Sequence, residues 1–240
     1  MWAGVSIRHS KERIVAKFHF LEDYEKHVRD LIKAHPLNEA MSLAVGGNWD
    51  GVGNAAANAL THCGLRDGMT VLDFGCGSGR VATKLGQKVQ LRSFLGVDVI
   101  PELLDYAKTV CPPNYVFQLN HSLQIPGENG TFDFVYAFSV FTHLLQTEIL
   151  LYTHDIFQKL KPGGLFLFSF LEMDKHWNIL EADAVRHFTY GQPTPHLNMF
   201  LSRNQIETLA EKTGFKVTRY IDPQDDAYSI GQTIVLLKKP

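Results

Sequence analysis

Cysteine pairs, long apolar runs and an excess of one charge are all missing from this sequence. Its three cysteines, Cys63, Cys76 and Cys111, include no CxxC pair, so neither a disulfide framework nor a zinc knuckle is indicated. No run reaches about 18 apolar residues, and no apolar core of a signal peptide stands near the N-terminus. We therefore expect a protein of a reducing compartment, the cytoplasm, without a membrane span.

The charge balance argues against a polyanionic partner. The 240 residues include 23 Lys and Arg and 25 Asp and Glu, a formal net charge of −2, which creates no general field for holding a nucleic-acid backbone. The apolar share of 45% and charged share of 20% are those of an average globular protein, which excludes disordered and collagen-like chains. Glycine occurs 19 times, and the positions of these glycines in the chain are informative.

From residue 70 onward, short apolar runs alternate with helical patterns, as in a parallel sheet with crossover helices. The predicted strands are 70–74, 93–98, 115–119, 132–138, 165–171, 215–221 and 232–239, the last two as an edge pair. The predicted helices are 11–34, 54–63, 80–88, 101–110, 146–160 and 202–213. We expect one domain over 1–240, with N-terminal helices and a cover loop (1–66), a core (67–171), an insertion (172–201) and a C-terminal helix with a strand pair (202–240).

Two segments of this plan have distinctive composition. Residues 46–53, GGNWDGVG, are too rich in glycine for a helix and too aromatic for a plain linker, so they are predicted to form an ordered lid or crossing loop. The helix after residue 202 carries clear end signals, because Ser202 is a favourable N-cap and Gly214 a favourable C-terminal stop.

The informative motif is residues 71–80, VLDFGCGSGR, where a strand runs into three alternating glycines and then a helix. Gly75 permits a tight turn, Gly77 a close approach of the backbone to a ligand, and Gly79 close packing at the helix start. A dinucleotide fingerprint would need a glycine where Arg80 stands. Asp73, two residues before the first glycine, suits a ligand with an ammonium group and is awkward beside a pyrophosphate.

A second acid fits the same ligand. Asp98 ends the second predicted strand, where it could accept hydrogen bonds from both hydroxyls of a ribose. Alone, the glycine-rich turn could serve backbone geometry only. Together with Asp98 it predicts a nucleoside ligand that lacks phosphate, and S-adenosylmethionine is the common ligand of that kind.

From about residue 49 to 239 the chain resembles the class I S-adenosylmethionine-dependent methyltransferases. Four blocks carry the resemblance in order: 71–80, 94–108 (FLGVDVIPELLDYAK), 132–144 (FDFVYAFSVFTHL) and 160–169 (LKPGGLFLFS). The resemblance implies an α/β, Rossmann-like, doubly wound fold. Its seven-stranded, mostly parallel sheet has the order 3-2-1-4-5-7-6, with the last strand antiparallel and helices on both faces. The implied cofactor is S-adenosyl-L-methionine and the implied product S-adenosyl-L-homocysteine.

The resemblance also implies a set of cofactor-binding residues. These are Trp49, Asp73, Gly75, Cys76, Gly77, Gly79, Arg80, Asp98, Val99, Asn120, His121, Ser122, Phe138 and Ser139. One departure concerns the adenine contact, because Asn120-His121-Ser122 replaces the Gly-Asp-Ala of many family members. An acceptor for the adenine amino group could come from Asn120, from His121 or from a backbone carbonyl.

His143 is the candidate catalytic residue, since in the family the segment after the fourth strand lies over the cofactor's methyl group. A hydroxyl acceptor benefits from such a base, whereas a neutral amine needs only orientation. The alternative is a histidine that caps or packs the following helix. Trp49 has two interpretations as well: it either covers the site and holds the methionine end of the cofactor, or anchors the N-terminal segment to the core.

No metal site is predicted. The histidines lack HExxH spacing, and Ala137, Phe138 and Ser139 stand where the catechol-type branch has metal-binding acids. An acid from elsewhere, Glu172 or Asp174, is left open. Glu172 is interpreted either as facing the substrate or as a solvated loop acid.

The expected acceptor is a small molecule, such as a sugar or natural product, methylated on oxygen or less favourably on nitrogen. The Pro-Pro-aromatic signature of nucleic-acid methyltransferases is absent. The insertion 172–201 is expected to cover the acceptor pocket with aromatic and histidine side chains, namely Trp177, His187, Tyr190 and His196. The competing hypotheses are a non-catalytic S-adenosylmethionine-binding protein, a nicotinamide oxidoreductase, and a methyltransferase acting on protein or nucleic acid.

Overall fold

The computed structural model describes residues 21–191, 198–225 and 227–240. Its centre is a mostly parallel sheet in the order β3-β2-β1-β4-β5-β8-β7, with a short strand, β6, paired to the end of β5. The strands are β1 Thr70–Phe74, β2 Ser93–Asp98, β3 Val116–Leu119, β4 Phe132–Ala137, β5 Leu160–Glu172, β6 Phe200–Leu201, β7 Lys216–Ile221 and β8 Thr233–Lys238.

This topology confirms the predicted fold class and strand order, with β7 and β8 as the sixth and seventh long strands. β8 runs antiparallel to both β5 and β7, and β1, β2, β3, β4 and β5 pair in parallel. The two-residue strand β6 was not predicted. β5 begins earlier than the predicted strand 165–171, because residues 160–164 form its irregular start, where the pairing with β4 shifts between Phe132 and Phe134.

Helices cover both faces of the sheet. They are α1 Leu21–Ala34, α2 Leu37–Ala44, α3 Trp49–His62, α4 Arg80–Leu85, α5 Pro101–Val110, α6 Gln146–Lys159, α7 Trp177–Tyr190 and α8 Arg203–Thr213, together with a 3-10 turn at Phe141–His143. The middle of β5 shows why both faces are covered. Phe166 and Phe168 pack into one core cluster and Leu167 into another, because successive side chains of a strand point to opposite faces.

The predicted loop at residues 46–53 is wrong from Trp49 onward, because α3 begins there. Asn48 takes a left-handed conformation (φ 46°), and its side-chain oxygen accepts a hydrogen bond from the Gly51 backbone N–H at 3.2 Å. This hydrogen bond satisfies a backbone N–H group that would otherwise have no partner in the first turn of the helix. Gly53 lies inside α3 and lets it approach α4, since a Cβ there would be 3.0 Å from the backbone oxygen of Arg80.

Two helices were not predicted. α1 ends at Ala34, as predicted, and α2 begins directly after Pro36, which is its N-cap residue. α7 lies within the insertion 172–201 and buries none of its residues, so it has no apolar face toward the core. Residues 11–20 of the predicted first helix, and His196 of the insertion, lie outside the described residues.

The C-terminal helix has the predicted end signals. The Ser202 hydroxyl accepts from the Gln205 backbone N–H at 3.3 Å, and the Gln205 side chain accepts from the Ser202 backbone N–H at 2.8 Å. Gly214 ends α8 in a left-handed conformation, with φ 92°. In the described part of the chain, none of the helices has the length and apolar character needed to cross a bilayer.

Candidate active site

A cavity of about 380 Å³ lies at the carboxyl ends of β1, β2 and β4. Eleven of the predicted site residues line it: Asp73, Gly75, Cys76, Gly77, Arg80, Asp98, Val99, Asn120, Phe138, Ser139 and His143. Other residues that line the cavity were not predicted from the sequence, among them Tyr24, His27, Val45, Val140, Tyr152 and Gln232. The cavity therefore unites the glycine motif with side chains from distant parts of the chain.

The glycine loop has no room for side chains. Gly75 (φ +78°) would place a Cβ 2.3 Å from Cγ2 of Val140, and Gly77 (φ +54°) would place one 2.7 Å from Cγ1 of Val45. Both positions need glycine on two grounds, because positive φ is also unfavourable for a residue with a Cβ. The loop is thus held between the end of α2 and the segment after β4, with its backbone exposed to the cavity.

Gly79 has a different role, the packing role that the motif predicted. Its φ is +83°, and a Cβ there would lie 2.7 Å from Sγ of Cys111 and 3.0 Å from Cβ of Ala107. Gly79 does not line the cavity and lets the start of α4 contact α5. Cys76 does line the cavity, but burial raises the pKa of its thiol well above the ordinary value, so it is held as an unreactive neutral group.

Asp98 connects the loop to the second strand. Its Oδ2 accepts from the Gly77 backbone N–H at 2.8 Å, and its Oδ1 accepts from the backbone N–H groups of Val99 at 2.8 Å and Ile100 at 3.1 Å. Burial raises the pKa of the Asp98 carboxyl, and these three N–H donors oppose that rise. A carboxylate has about four acceptor positions. Asp98 therefore keeps an acceptor position for a hydroxyl of a ligand in the cavity.

Asp73 is almost fully buried, with 2% of its surface exposed. The hydroxyl of Tyr136 donates to its Oδ2 at 2.9 Å. Burial raises the pKa of Asp73 to about 8, and the hydrogen bond from Tyr136 lowers it only in part. Within the described residues no cation pairs with Asp73, so an ammonium group of a ligand would stabilise its charged form.

Arg80 brings the opposite charge to the cavity wall. Its Nη1 donates to the backbone oxygen of Gly47 at 2.8 Å, and burial lowers the pKa of its guanidinium to about 10. Among the described residues no carboxylate forms an ion pair with it. Buried charges are ordinarily paired, so an unpaired acid and an unpaired guanidinium on one cavity wall indicate a ligand that carries both signs of charge.

The Asn120-His121-Ser122 segment contributes one residue to the cavity. Asn120 lines it, and its Nδ2 donates to the backbone oxygens of Ser122 at 3.3 Å and Gln124 at 3.2 Å, which leaves its amide oxygen for a ligand. His121 instead directs Nε2 at the backbone oxygen of Val99, 2.7 Å away, and the Ser122 hydroxyl accepts from the Gln124 backbone N–H. Of the three acceptors left open, Asn120 is the side chain that reaches the cavity.

Trp49 does not reach the cavity wall. Its ring meets that of Tyr106 on α5 edge-on, with centroids 6.0 Å apart and an interplanar angle of 90°. This contact corresponds to the interpretation of Trp49 as an anchor for the N-terminal segment. The interpretation of Trp49 as a cover that holds the cofactor is not supported by its position.

His143 is half-buried in the 3-10 turn that follows β4, and its backbone N–H donates to the Val140 carbonyl at 2.9 Å. The turn directs the chain from the sheet edge over the cavity, so that Phe138, Ser139 and His143 all line it. A histidine in this position has access to whatever the cavity holds, which is the geometric requirement for proton transfer.

Both interpretations of Glu172 are wrong. It is 3% exposed, and Arg203 holds it through Nε to Oε1 at 2.6 Å and Nη2 to Oε2 at 3.0 Å. The hydroxyl of Thr233 donates to Oε2 at 2.8 Å. Glu172 is therefore a paired structural acid at the end of β5. The described residues include no group of three or more His, Cys, Asp and Glu side chains arranged to hold a metal ion.

Comparison with known proteins gives a family match over most of the chain. A methyltransferase domain model matches residues 52–220. An O-methyltransferase of Pyrenophora dematioidea is 26% identical over 160 residues, which is 65% of this chain and 57% of the relative. A ribosomal protein L11 methyltransferase of Burkholderia lata is 30% identical over 105 residues, 44% of this chain and 33% of the relative. The matched region thus covers between a third and just over half of these relatives.

Solved structures share the fold at low sequence identity. Magnesium protoporphyrin IX methyltransferase of Synechocystis PCC 6803, with S-adenosylhomocysteine bound, superposes with a TM-score of 0.67 at 16% identity, covering 91% of this chain and 97% of that one. An S-adenosylmethionine-dependent methyltransferase of Methanosarcina mazei gives 0.62 at 17% identity, covering 75% and 96%. At these identities the likeness concerns the fold alone.

Proposed function

Because the chain belongs to the methyltransferase domain family that matches residues 52–220, we propose that it transfers the methyl group of S-adenosylmethionine to an oxygen of a small molecule. The family match confirms the resemblance read from the motifs. The acceptor, the cofactor contacts and the catalytic residue are parts of this proposal.

The observation that carries the proposal is that the buried acid Asp73 and the guanidinium of Arg80 both lack an ion-pair partner among the described residues, on a wall that also holds Asp98. S-adenosylmethionine matches this set of groups, because it has an ammonium, a carboxylate and ribose hydroxyls but no phosphate. A nicotinamide dinucleotide would bring a pyrophosphate toward two buried acids, which electrostatics disfavours. The chemistry of the wall therefore supports the same cofactor as the family.

The residues present would hold the cofactor as follows. Asp98 would accept from a ribose hydroxyl, Asp73 would face the ammonium, Arg80 would face the carboxylate, and the Asn120 amide oxygen would accept from the adenine amino group. Gly75 and Gly77 leave the backbone free to approach it. Bound there, S-adenosylmethionine supplies a methyl group activated by a sulfonium.

The remaining chemistry falls to positioning and to one base. A displacement at the methyl carbon needs the nucleophile held in line, so the cavity wall contributes by orientation and by exclusion of water. His143 would take the proton of an acceptor hydroxyl as the new bond to oxygen forms. An amine acceptor would not need that step, which is why the choice of oxygen rests on His143.

A small acceptor is supported by three observations. The cavity is enclosed by apolar side chains such as Leu43, Val45 and Leu144, the formal charge is −2, and the fungal relative is an O-methyltransferase. The three cysteines are free thiols, in keeping with the proposed cytoplasmic location.

The proposal is tested by binding and turnover measured together. Isothermal titration should show binding of S-adenosylhomocysteine, and incubation with S-adenosylmethionine and a panel of phenols, sugars and amines should release S-adenosylhomocysteine with hydroxyl acceptors. Binding without turnover on the whole panel favours the non-catalytic S-adenosylmethionine-binding protein. Tighter binding of NAD than of S-adenosylhomocysteine contradicts the proposal outright.

A further inference from the structure

Ser139 has an unfavourable backbone conformation at the cavity wall. Within the described residues, Asn48 and Ser139 are the two non-glycine residues with positive φ, and Ser139, with φ 57°, lies two residues after the end of β4. Asn48 is explained as a helix cap, whereas Ser139 caps nothing. Strained residues persist only where their surroundings hold them, and they cluster at functional sites.

A closed set of three hydrogen bonds holds Ser139. Its backbone N–H donates to Oγ of Ser169 at 2.7 Å, the Ser169 hydroxyl donates to Oε1 of Gln232 at 2.7 Å, and Nε2 of Gln232 donates to Oγ of Ser139 at 3.1 Å. The three residues come from the end of β4, the middle of β5 and the position before β8. Ser139 and Gln232 line the cavity, and Ser169 is fully buried beneath them.

The orientation of the Gln232 amide follows from counting donors. With the amide reversed, Ser169 would accept from both Ser139 and Gln232, and its buried hydroxyl hydrogen would lack an acceptor. The observed orientation satisfies every group of the triangle. It also makes Oγ of Ser139 an acceptor toward Gln232, so the hydroxyl hydrogen of Ser139 is left for the cavity.

Gln232 is itself held in place from both sides. The preceding backbone oxygen, of Gly231, lies 3.0 Å from Nε2 of the buried His176, whose Nδ1 lies 3.0 Å from the backbone oxygen of Glu172. The following residue, Thr233, donates to the Glu172 carboxylate. The end of β5 thus fixes the position of Gln232 more firmly than an exposed loop residue would be fixed.

We propose that Gln232 is a positioning residue that presents the Ser139 hydroxyl to the cavity as a hydrogen-bond donor for an oxygen of the ligand. The inference rests on the proposed function. Two oxygens have the required chemistry, the carboxylate at the amino-acid end of the cofactor and an oxygen of the methyl acceptor, and the experiment separates them.

The decisive variants are Gln232→Glu and Gln232→Ala. A glutamate carboxylate has nearly the same size but only accepts, so it would take the Ser139 hydroxyl hydrogen away from the ligand. Alanine leaves that hydroxyl free to rotate and donate. We therefore expect Gln232→Glu to impair ligand binding more than Gln232→Ala and as much as Ser139→Ala. A purely structural role gives the reverse order, because alanine leaves a void.

The probes are S-adenosylhomocysteine, 5′-methylthioadenosine, which lacks the amino-acid group, and the acceptor from the turnover panel. A loss of about tenfold or more in affinity for S-adenosylhomocysteine, with 5′-methylthioadenosine unchanged, supports donation to the cofactor carboxylate. Unchanged affinity for S-adenosylhomocysteine with KM for the acceptor raised about tenfold supports donation to the acceptor. If no acceptor is turned over by the wild type, the titrations decide alone and unchanged affinity overturns the inference.

Two controls complete the test. Gln205→Glu makes the same charge change in the capping box of α8, away from the cavity, and should change none of these values. The double variant Ser139→Ala/Gln232→Glu should be no worse than Ser139→Ala alone, and an additional loss would show that charge repulsion, not the hydroxyl, is responsible. Equal losses for both nucleoside probes, or no change in any readout, overturn the inference. Failure of the wild type to bind S-adenosylhomocysteine instead contradicts the proposed function.

Discussion

The two walls of the cavity are built in different ways. The glycine-loop wall, residues 73–77, 80–81 and 97–99, comes from two neighbouring strands and the loop after the first, and consists largely of backbone positioned by Asp98. The composite wall, formed by Tyr24, Val45, Ser139, His143 and Gln232, collects single side chains from separate elements. The first wall suits a ligand common to a whole family, and the second is where one member can differ from another in its acceptor.

Variants of the composite wall other than Ser139 and Gln232, whose ligand oxygen the titrations above identify, should therefore change turnover, and variants of the glycine-loop wall should change cofactor affinity or stability. A variant that alters the property assigned to the other wall would break the comparison.

His143→Ala should lower turnover of a hydroxyl acceptor by about 10²–10⁴-fold, the usual contribution of a general base, while S-adenosylhomocysteine affinity is retained. Initial rates and isothermal titration measure the two quantities. His154→Ala, at an exposed histidine of α6, is the matched control and should leave both unchanged. Normal turnover in His143→Ala would remove this residue as the base.

Gly75→Ala should destabilise the protein by about 2–4 kcal/mol, because it adds backbone strain and a clash with Val140. Gly68→Ala is its control, since Gly68 has nearly the same φ, +75°, but no atom within 4 Å of the added Cβ. Gly68→Ala should lower the free energy of unfolding by only about 1 kcal/mol, because it adds backbone strain without a clash. Urea unfolding measures the free energy of unfolding of both variants. Equal losses would show that the contact between residue 75 and Val140 is unimportant.

Asp98→Ala should weaken binding of S-adenosylhomocysteine by about 1–3 kcal/mol, the scale of hydrogen bonds to a charged group. Asp105→Ala removes an exposed acid of α5 that pairs with Lys108 at 2.9 Å, and should leave affinity unchanged. Titration of both variants separates a specific contact from a general loss of negative charge. Equal affinity of Asp98→Ala and wild type would reject the ribose contact.

Asp73 should give the wild type a pH-dependent stability that Asp73→Asn lacks. The folded-state pKa is raised to about 8, so the folded protein holds a proton that the unfolded chain releases. Its stabilising contribution is complete below about pH 4 and is lost as pH rises toward 8, by at most about 1.4 kcal/mol per pH unit. Urea unfolding at pH 5.5, 6.5 and 7.5 measures the slopes, and parallel slopes for the two proteins would contradict the buried, unpaired acid.

Local patterns predicted the elements whose signals are local. β1, β2 and α5 have the predicted bounds, because β1 and β2 are short apolar runs, the first followed by Gly75, and α5 is a periodic segment that begins at Pro101. The start of α3 was missed because Gly51 and Gly53 argue against a helix, and the cap at Asn48 outweighs them. α7 was missed because none of its residues is buried, so no apolar periodicity toward the core marks it.

The site residues also divide into those that a local pattern predicted and those that no local pattern marks. Asp73, Gly75 and Gly77 were found because a strand followed by a glycine turn places neighbouring residues in one location, and Asp98 was found because it ends the next strand of the parallel sheet. Gln232 was not found, since the predicted strand order places β8 beside β5 but no local pattern shows that the residue before β8 reaches Ser139. Glu172 was misread for a similar reason, because its partner Arg203 lies 31 residues away in the chain and meets it only in the folded protein.

The sequence by itself determined the glycine-loop residues and the family, because these depend on motifs of about ten neighbouring residues, and the family resemblance in turn implied the order of the strands. Only the tertiary structure decided that Trp49 packs against Tyr106 outside the cavity and that Glu172 is paired. It also decided that Gln232 reaches Ser139, 93 positions away in the chain. The physical reason is that burial, unpaired charge and hydrogen-bond direction depend on which elements meet, and local sequence does not specify those meetings.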